Sequence, residues 1–87
     1  SLDALRFMLP VLEGIEPWQE SVIHERIMEA IASAVRKNGP VLWPLRIAIS
    51  GQLSTPGGAI EIAYLLGKQE TLRRVRAAIE RLANAAQ

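Results

Sequence analysis

Few side chains in this sequence are suited to covalent chemistry. His24 is the only histidine and there is no cysteine, so no Cys-based zinc or iron–sulfur site can be assembled. His24 falls near Met28 and Ile31 on a helical stripe and reads as a structural or solvated histidine. The carboxylates are spread over helix faces without a clustered pair for general acid–base work, and no serine has a base partner. No catalytic residue and no metal ligand set is expected. Recognition chemistry is better represented. Arg46 stands inside the apolar run Leu42–Ser50, where a guanidinium must cap carbonyls within the fold or reach a phosphate or base edge. Thr55 and Pro56 precede two adjacent glycines, Gly57 and Gly58, at what should be a helix start. Such a pair gives up roughly 1 kcal/mol per residue relative to alanine, so something should approach that backbone closely. An open helix N-terminus of this kind exposes backbone donors to phosphates or base edges.

Other side chains belong to the same chemistry. Trp18 and Trp43 could stack on bases, although packing against a neighbouring helix is the commoner role of a tryptophan near a helix start. The last helix carries Arg73, Arg74, Arg76 and Arg81. Such a set is usually a solvated face with ion pairs, and Glu70 can pair with Arg74 at i, i+4; contact with phosphate is the alternative.

The elements that must hold these residues are read from periodicity. Leu2, Leu5, Leu9 and Leu12, with Phe7 and Met8, trace a first helix that Pro10 should end or kink. Pro17, between Glu16 and Glu20, suits the first position of a second helix with the stripe Ile23, Ile27, Ala30, Ile31 and Ala34. Lys37-Asn38-Gly39-Pro40 reads as its end. Leu45, Ile47 and Ile49 alternate with Arg46, Ala48 and Ser50, which is a strand signal, whereas Pro44 and Gly51 bracket the run as they would a helix. Alternation slightly favours a strand. Thr55 as N-cap and Pro56 as first residue would open a helix that turns Ile60, Ala63, Tyr64 and Leu66 to the core and stops at Gly67. A last helix presents Leu72, Val75, Ile79 and Leu82, and frays from Ala83.

Composition bounds the rest. At 87 residues there is room for one small domain, and 49% hydrophobic with 22% charged residues suits a globular chain. A net charge of +1 means that nucleic-acid binding would need a local patch instead of a global field. No apolar run approaches the roughly 20 residues of a membrane span. The absence of cysteine fits a reducing cytoplasm. Because the chain begins at Ser1, we expect a fragment of a longer protein.

Four blocks in order carry a family resemblance: Trp-Pro-Leu-Arg-Ile-Ala-Ile-Ser-Gly from Trp43, Thr-Pro-Gly-Gly-Ala-Ile-Glu from Thr55, Leu-Leu-Gly-Lys from Leu65 and Glu-Thr-Leu-Arg-Arg from Glu70. Over about Lys37 to Leu82 the sequence resembles the C-terminal anticodon-binding domain of bacterial glutamyl-tRNA synthetase. Each block is weak alone; together at this spacing they are specific. The resemblance implies an all-α fold, a single small bundle of about five helices spanning residues 1–87, with Leu42–Ser50 helical. It implies a tRNA(Glu) anticodon loop as partner, beside the preceding domains of the same synthetase, and neither DNA nor membrane. The contacts it implies fall on Thr55, Pro56, Gly57 and Gly58, with Arg46 nearby. On our reading of the basic residues, Arg46 and part of the Arg73–Arg81 face would hold the phosphates. Where many relatives have a larger apolar residue soon after the proline, this chain has Gly58-Ala59, so a base contact by that side chain does not carry over. ATP and Mg2+ would belong to a catalytic domain outside these residues, leaving the chain without cofactor or activity of its own. A helical protein-interaction or structural module is the alternative. A basic rim near the Thr55–Gly58 turn would favour RNA, and an apolar groove without positive charge would favour the module.

Overall fold

The computed structural model describes residues 2–51 and 58–85, which form five helices and, among the described residues, no strand. These are α1 (Leu2–Glu13), α2 (Glu20–Ser33), α3 (Asn38–Ser50), α4 (Ala59–Leu66) and α5 (Lys68–Ala85). α1 lies against α5 and α3, and α4 is held between α3 and α2.

Leu5, Met8 and Leu12 of α1 are buried together with Ala4, so the helix turns the Leu5 face inward and leaves Leu9 half-buried. α1 does not end at Pro10 but continues to Glu13, with the exposed proline on its outer side. Helix α2 begins at Glu20 with Gln19 as N-cap, three residues beyond the start suggested by Pro17. Pro17 instead follows a cis peptide bond in a loop that buries Ile15. Ile23, Ile27 and Ile31 of α2 are at most 2% exposed. Tertiary burial of Ile15, not first-turn propensity, sets this boundary.

The end of α2 corrects the sequence reading in an informative way. The Val35 N–H donates to the Ala32 carbonyl and the Arg36 N–H to the Ile31 carbonyl, at 3.1 and 3.0 Å. That is the hydrogen-bond pattern of a glycine-terminated helix, yet the left-handed position is occupied by Val35 at φ 55°. Lys37-Asn38-Gly39-Pro40, read as the end of α2, opens α3 instead. Pro40 falls where helical N–H groups have no partner anyway, so nothing is lost.

A β-branched residue in the left-handed region is strained by roughly 1–2 kcal/mol. Val35 is also 92% exposed, so its side chain returns almost no burial. Val35→Gly should therefore stabilise the chain by about 1 kcal/mol, raising Tm by roughly 4–8 °C. Thermal melting checks this, and an unchanged or lowered Tm would show that the position carries no strain.

Leu42–Ser50 is helical, as the family resemblance implied and the alternation did not. Val41, Leu45 and Ile49, spaced by four, are at most 1% exposed and face α1, α4 and α5. Pro44 lies inside the helix and not at its start; Gly51 closes it at φ 73°, its N–H donating to the Ile47 carbonyl at 2.8 Å.

Helix α4 starts at Ala59 with Gly58 as N-cap; Thr55 and Pro56, expected as cap and first residue of this helix, lie outside the described residues. Its buried residues are Ala59 and Ala63; Tyr64 is 43% exposed, contrary to the expected core role. It does stop at Gly67, whose φ of 87° favours glycine. In α5 Leu72, Val75 and Ala78 are buried while Leu82 is 37% exposed, and the helix runs on to Ala85.

The carbonyl of Ala63 ties these helices together. It accepts from Trp18 Nε1 at 3.0 Å, from the buried Thr71 Oγ1 at 3.1 Å and from the Gly67 N–H at 3.1 Å. Lys68 Nζ, at the start of α5, donates to the Ile15 carbonyl at 2.8 Å, so the α4–α5 junction is tied to the segment between α1 and α2 by this bond and by that of Trp18 to Ala63. At the N-terminal end of α4, Gly58 is exposed and Ala59 is buried.

Candidate nucleic-acid interface

Helix periodicity places Trp43 and Arg46 three residues apart on one face of α3, and they touch. The Arg46 guanidinium carbon lies 4.6 Å from the centre of the Trp43 ring, and the indole is 48% exposed. A guanidinium over an aromatic face is attracted by the ring quadrupole, worth about 0.5–1 kcal/mol at an exposed site. The pair lines a shallow groove of about 250 Å³ with Gly39, Leu42, Gly58 and Ala59. Two of the residues expected to contact RNA, Arg46 and Gly58, are thus brought together. Gly58 has the extended geometry of an N-cap, with no described atom within 4 Å of where a Cβ would stand. Thr55, Pro56 and Gly57 lie outside the described residues.

The last-helix arginines are placed elsewhere. Arg73 lines a groove with Gln69, Glu70, Arg76, Ala77 and Glu80, and donates from Nε and Nη2 to the two Glu70 oxygens at 2.8 and 2.6 Å. Arg74 joins the same carboxylate at 2.7 Å, as the i, i+4 spacing predicted, and caps α3 by donating to the Ile49 carbonyl at 2.6 Å. Arg76 pairs with Glu13 at 2.7 Å. Arg81 makes no ion pair among the described residues and lines an apolar groove with Leu5, Pro44, Ile47, Ala48, Gly51, Ala78 and Leu82. Neither Arg73 nor Arg81 lines the Trp43–Arg46 groove.

Hydrogen bonds from Arg73, then Arg74, hold the Glu70 carboxyl at about 2, well below its ordinary 4.5. A depressed carboxylate pKa contributes stability that is present above pH 4.5 and lost as pH falls through 2. Glu70→Gln should therefore melt below the native chain at pH 7, with the gap closing between pH 4.5 and 2. Parallel melting curves would show it; a gap independent of pH would mean the pairs contribute nothing.

Trp43 joins the residues expected at the site, and its spacing from Arg46 is the signal for it. A spacing of three from Arg46 joins the two on a helix but sends them to opposite faces of a strand. Trp18 took the packing role expected of a tryptophan near a helix start, as its bond to Ala63 shows. His24 is exposed, and no group of three or more His, Cys, Asp or Glu able to hold a metal ion occurs among the described residues. No helix of the described residues is long and apolar enough to cross a membrane.

A sequence model of the anticodon binding domain matches residues 1–79. The chain belongs to that family. Over 84 residues this anticodon-binding domain is 56% identical to the glutamate–tRNA ligase of Clostridium tetani, which covers 97% of this chain and 17% of the ligase. It is 52% identical over 82 residues to that of Clostridium acetobutylicum, covering 94% and 17% respectively. A third relative, the glutamate–tRNA ligase of Clostridium novyi, is 47% identical over 85 residues, 98% of this chain and 18% of the ligase. The domain thus spans under a fifth of the length of these curated relatives.

Proposed function

We propose that this chain binds the anticodon loop of tRNA(Glu) as the C-terminal domain of a cytoplasmic glutamyl-tRNA synthetase. ATP, Mg2+ and the ligase reaction would belong to the preceding domains. The observation that carries the reading is the Trp43–Arg46 stack in one groove with the exposed N-cap Gly58 of α4. Single-stranded RNA loops are read by splaying bases onto aromatic and guanidinium planes, with basic groups holding the phosphates. Trp43 supplies a plane, Arg46 a plane and a charge, and the amides that follow Gly58 supply donors at a helix N-terminus. Thr55, Pro56 and Gly57 are proposed to complete this surface, and Arg81 and Arg73 to meet phosphates beyond it. The cation at the groove distinguishes it from the purely apolar surface that a protein-interaction module would present.

Gly58→Ala tests the close approach of RNA. The extended backbone at Gly58 suits alanine, and the lost unfolded-state freedom would stabilise by roughly 0.4–1 kcal/mol. Alanine is a poorer N-cap than glycine, which offsets that gain. Tm should stay within a few degrees, while the new methyl, standing in the groove, should weaken binding to an anticodon stem-loop several-fold. Fluorescence anisotropy with the labelled hairpin measures it. Unaltered affinity would remove Gly58 from the contact surface.

A further inference from the structure

The groove that holds Trp43 and Arg46 shares three of its residues, Leu42, Gly58 and Ala59, with a second groove running along α2 and α4. The two differ in sign. The second, about 740 Å³, is walled by Glu20, Glu25 and Glu61, with Ser21, His24 and Ile60 completing it. All three carboxylates are exposed and, like Glu16, Glu29 and Glu80 elsewhere on the surface, form no ion pair among the described residues; what sets them apart is that they share one groove. A groove holding Arg46 and a groove holding three carboxylates thus adjoin at Leu42, Gly58 and Ala59. In a chain of net charge +1 no global field overrides this local contrast.

Resting on the RNA reading above, we propose that Glu20, Glu25 and Glu61 determine specificity by repulsion. An RNA backbone that follows the Arg46 side keeps its phosphates away from the α2–α4 groove. A loop whose shape would carry a phosphate over the start of α4 into that groove meets unpaired carboxylates and is rejected. Specificity can come from such penalties on wrong partners as well as from contacts to the right one. Like charges directly juxtaposed oppose binding, and the effect weakens with salt. The carboxylates thus restrict which loops reach Trp43 and Arg46, while the stack itself supplies affinity.

The test is a gain of binding, which misfolding cannot imitate. Glu25→Gln with Glu61→Gln would be assayed against the anticodon stem-loop of a glutamate tRNA and against the same stem with a scrambled loop. Each carboxylate removed should tighten the scrambled hairpin by roughly two- to fivefold, the scale of one exposed charge contact. The glutamate hairpin should change less than twofold, so discrimination falls, and the difference should shrink at 1 M salt relative to about 0.1 M. Glu16→Gln, which removes an exposed charge that lines neither groove, should leave both affinities alone. Equal tightening for both hairpins, an equal gain from Glu16→Gln, or no change would overturn the proposal. Failure of the native chain to bind either hairpin would instead overturn the RNA reading on which it rests.

Discussion

Trp43→Ala should weaken binding to a glutamate-tRNA anticodon stem-loop by roughly 5- to 150-fold, the range of about 1–3 kcal/mol that one base–aromatic stack contributes. The same change should cost little stability. Trp43 is half-exposed and outside the buried cluster, so its truncation falls among surface substitutions, at less than about 1 kcal/mol. Affinity and stability are thereby separated in one variant. Trp43→Phe keeps an aromatic plane and should recover most of the loss. Arg46→Lys keeps the charge but gives up the flat guanidinium that lies on the indole, so its effect should fall between the two. Equilibrium titration with parallel melting distinguishes these outcomes. A loss of Tm matching the loss of affinity would mean that Trp43 is a packing residue.

Leu45→Ala should have the largest effect on stability, about 2–5 kcal/mol, because a fully buried leucine leaves a cavity when truncated. For a chain of this size that is a large part of the total, and Tm should fall by tens of degrees. The comparison with Ile47→Ala makes the test specific to the fold. In a strand, Leu45 and Ile47 would share a face and be alike; in α3, Leu45 is buried and Ile47 only half-buried. The Ile47 change should therefore cost less than half as much. Equal losses would contradict the helix.

These two positions show where local reading fails and why. The Leu42–Ser50 alternation satisfies a strand template, but Val41, Leu45 and Ile49 also satisfy a helical one, and neighbouring helices on several sides decide between them. Choosing the strand would also have hidden the Trp43–Arg46 pair. The boundaries of α2 were misplaced for a related reason. Pro17 and Pro40 are locally good helix signals, yet burial of Ile15 and a helix end completed by Val35 set the limits. Tyr64 was assigned to the core by hydrophobicity, whereas small Ala59 and Ala63 are what let α4 approach its neighbours. The glycine caps Gly51 and Gly67, the Glu70–Arg74 pair and the isoleucines of the α2 stripe were legible because each depends only on residues a few positions away. Ala34, read as part of that stripe, is instead an exposed cap beyond the helix. Arg46 and Gly58 were legible as unusual residues for their surroundings. Their common groove depends on the approach of α3 to α4, which no local pattern encodes.

The most direct test of the RNA reading follows the two indole N–H signals of the 15N-labelled chain during titration with the anticodon stem-loop. Trp18 Nε1 is engaged with the Ala63 carbonyl at 3.0 Å, while Trp43 stands half-exposed beside Arg46. The Trp43 indole should shift together with the amides of Gly39, Leu42 and Gly58 to Ile60, and the Trp18 indole should stay in place. Absence of shifts at Trp43 and Gly58, or movement of Trp18 with Trp43 unchanged, would contradict RNA binding at this groove.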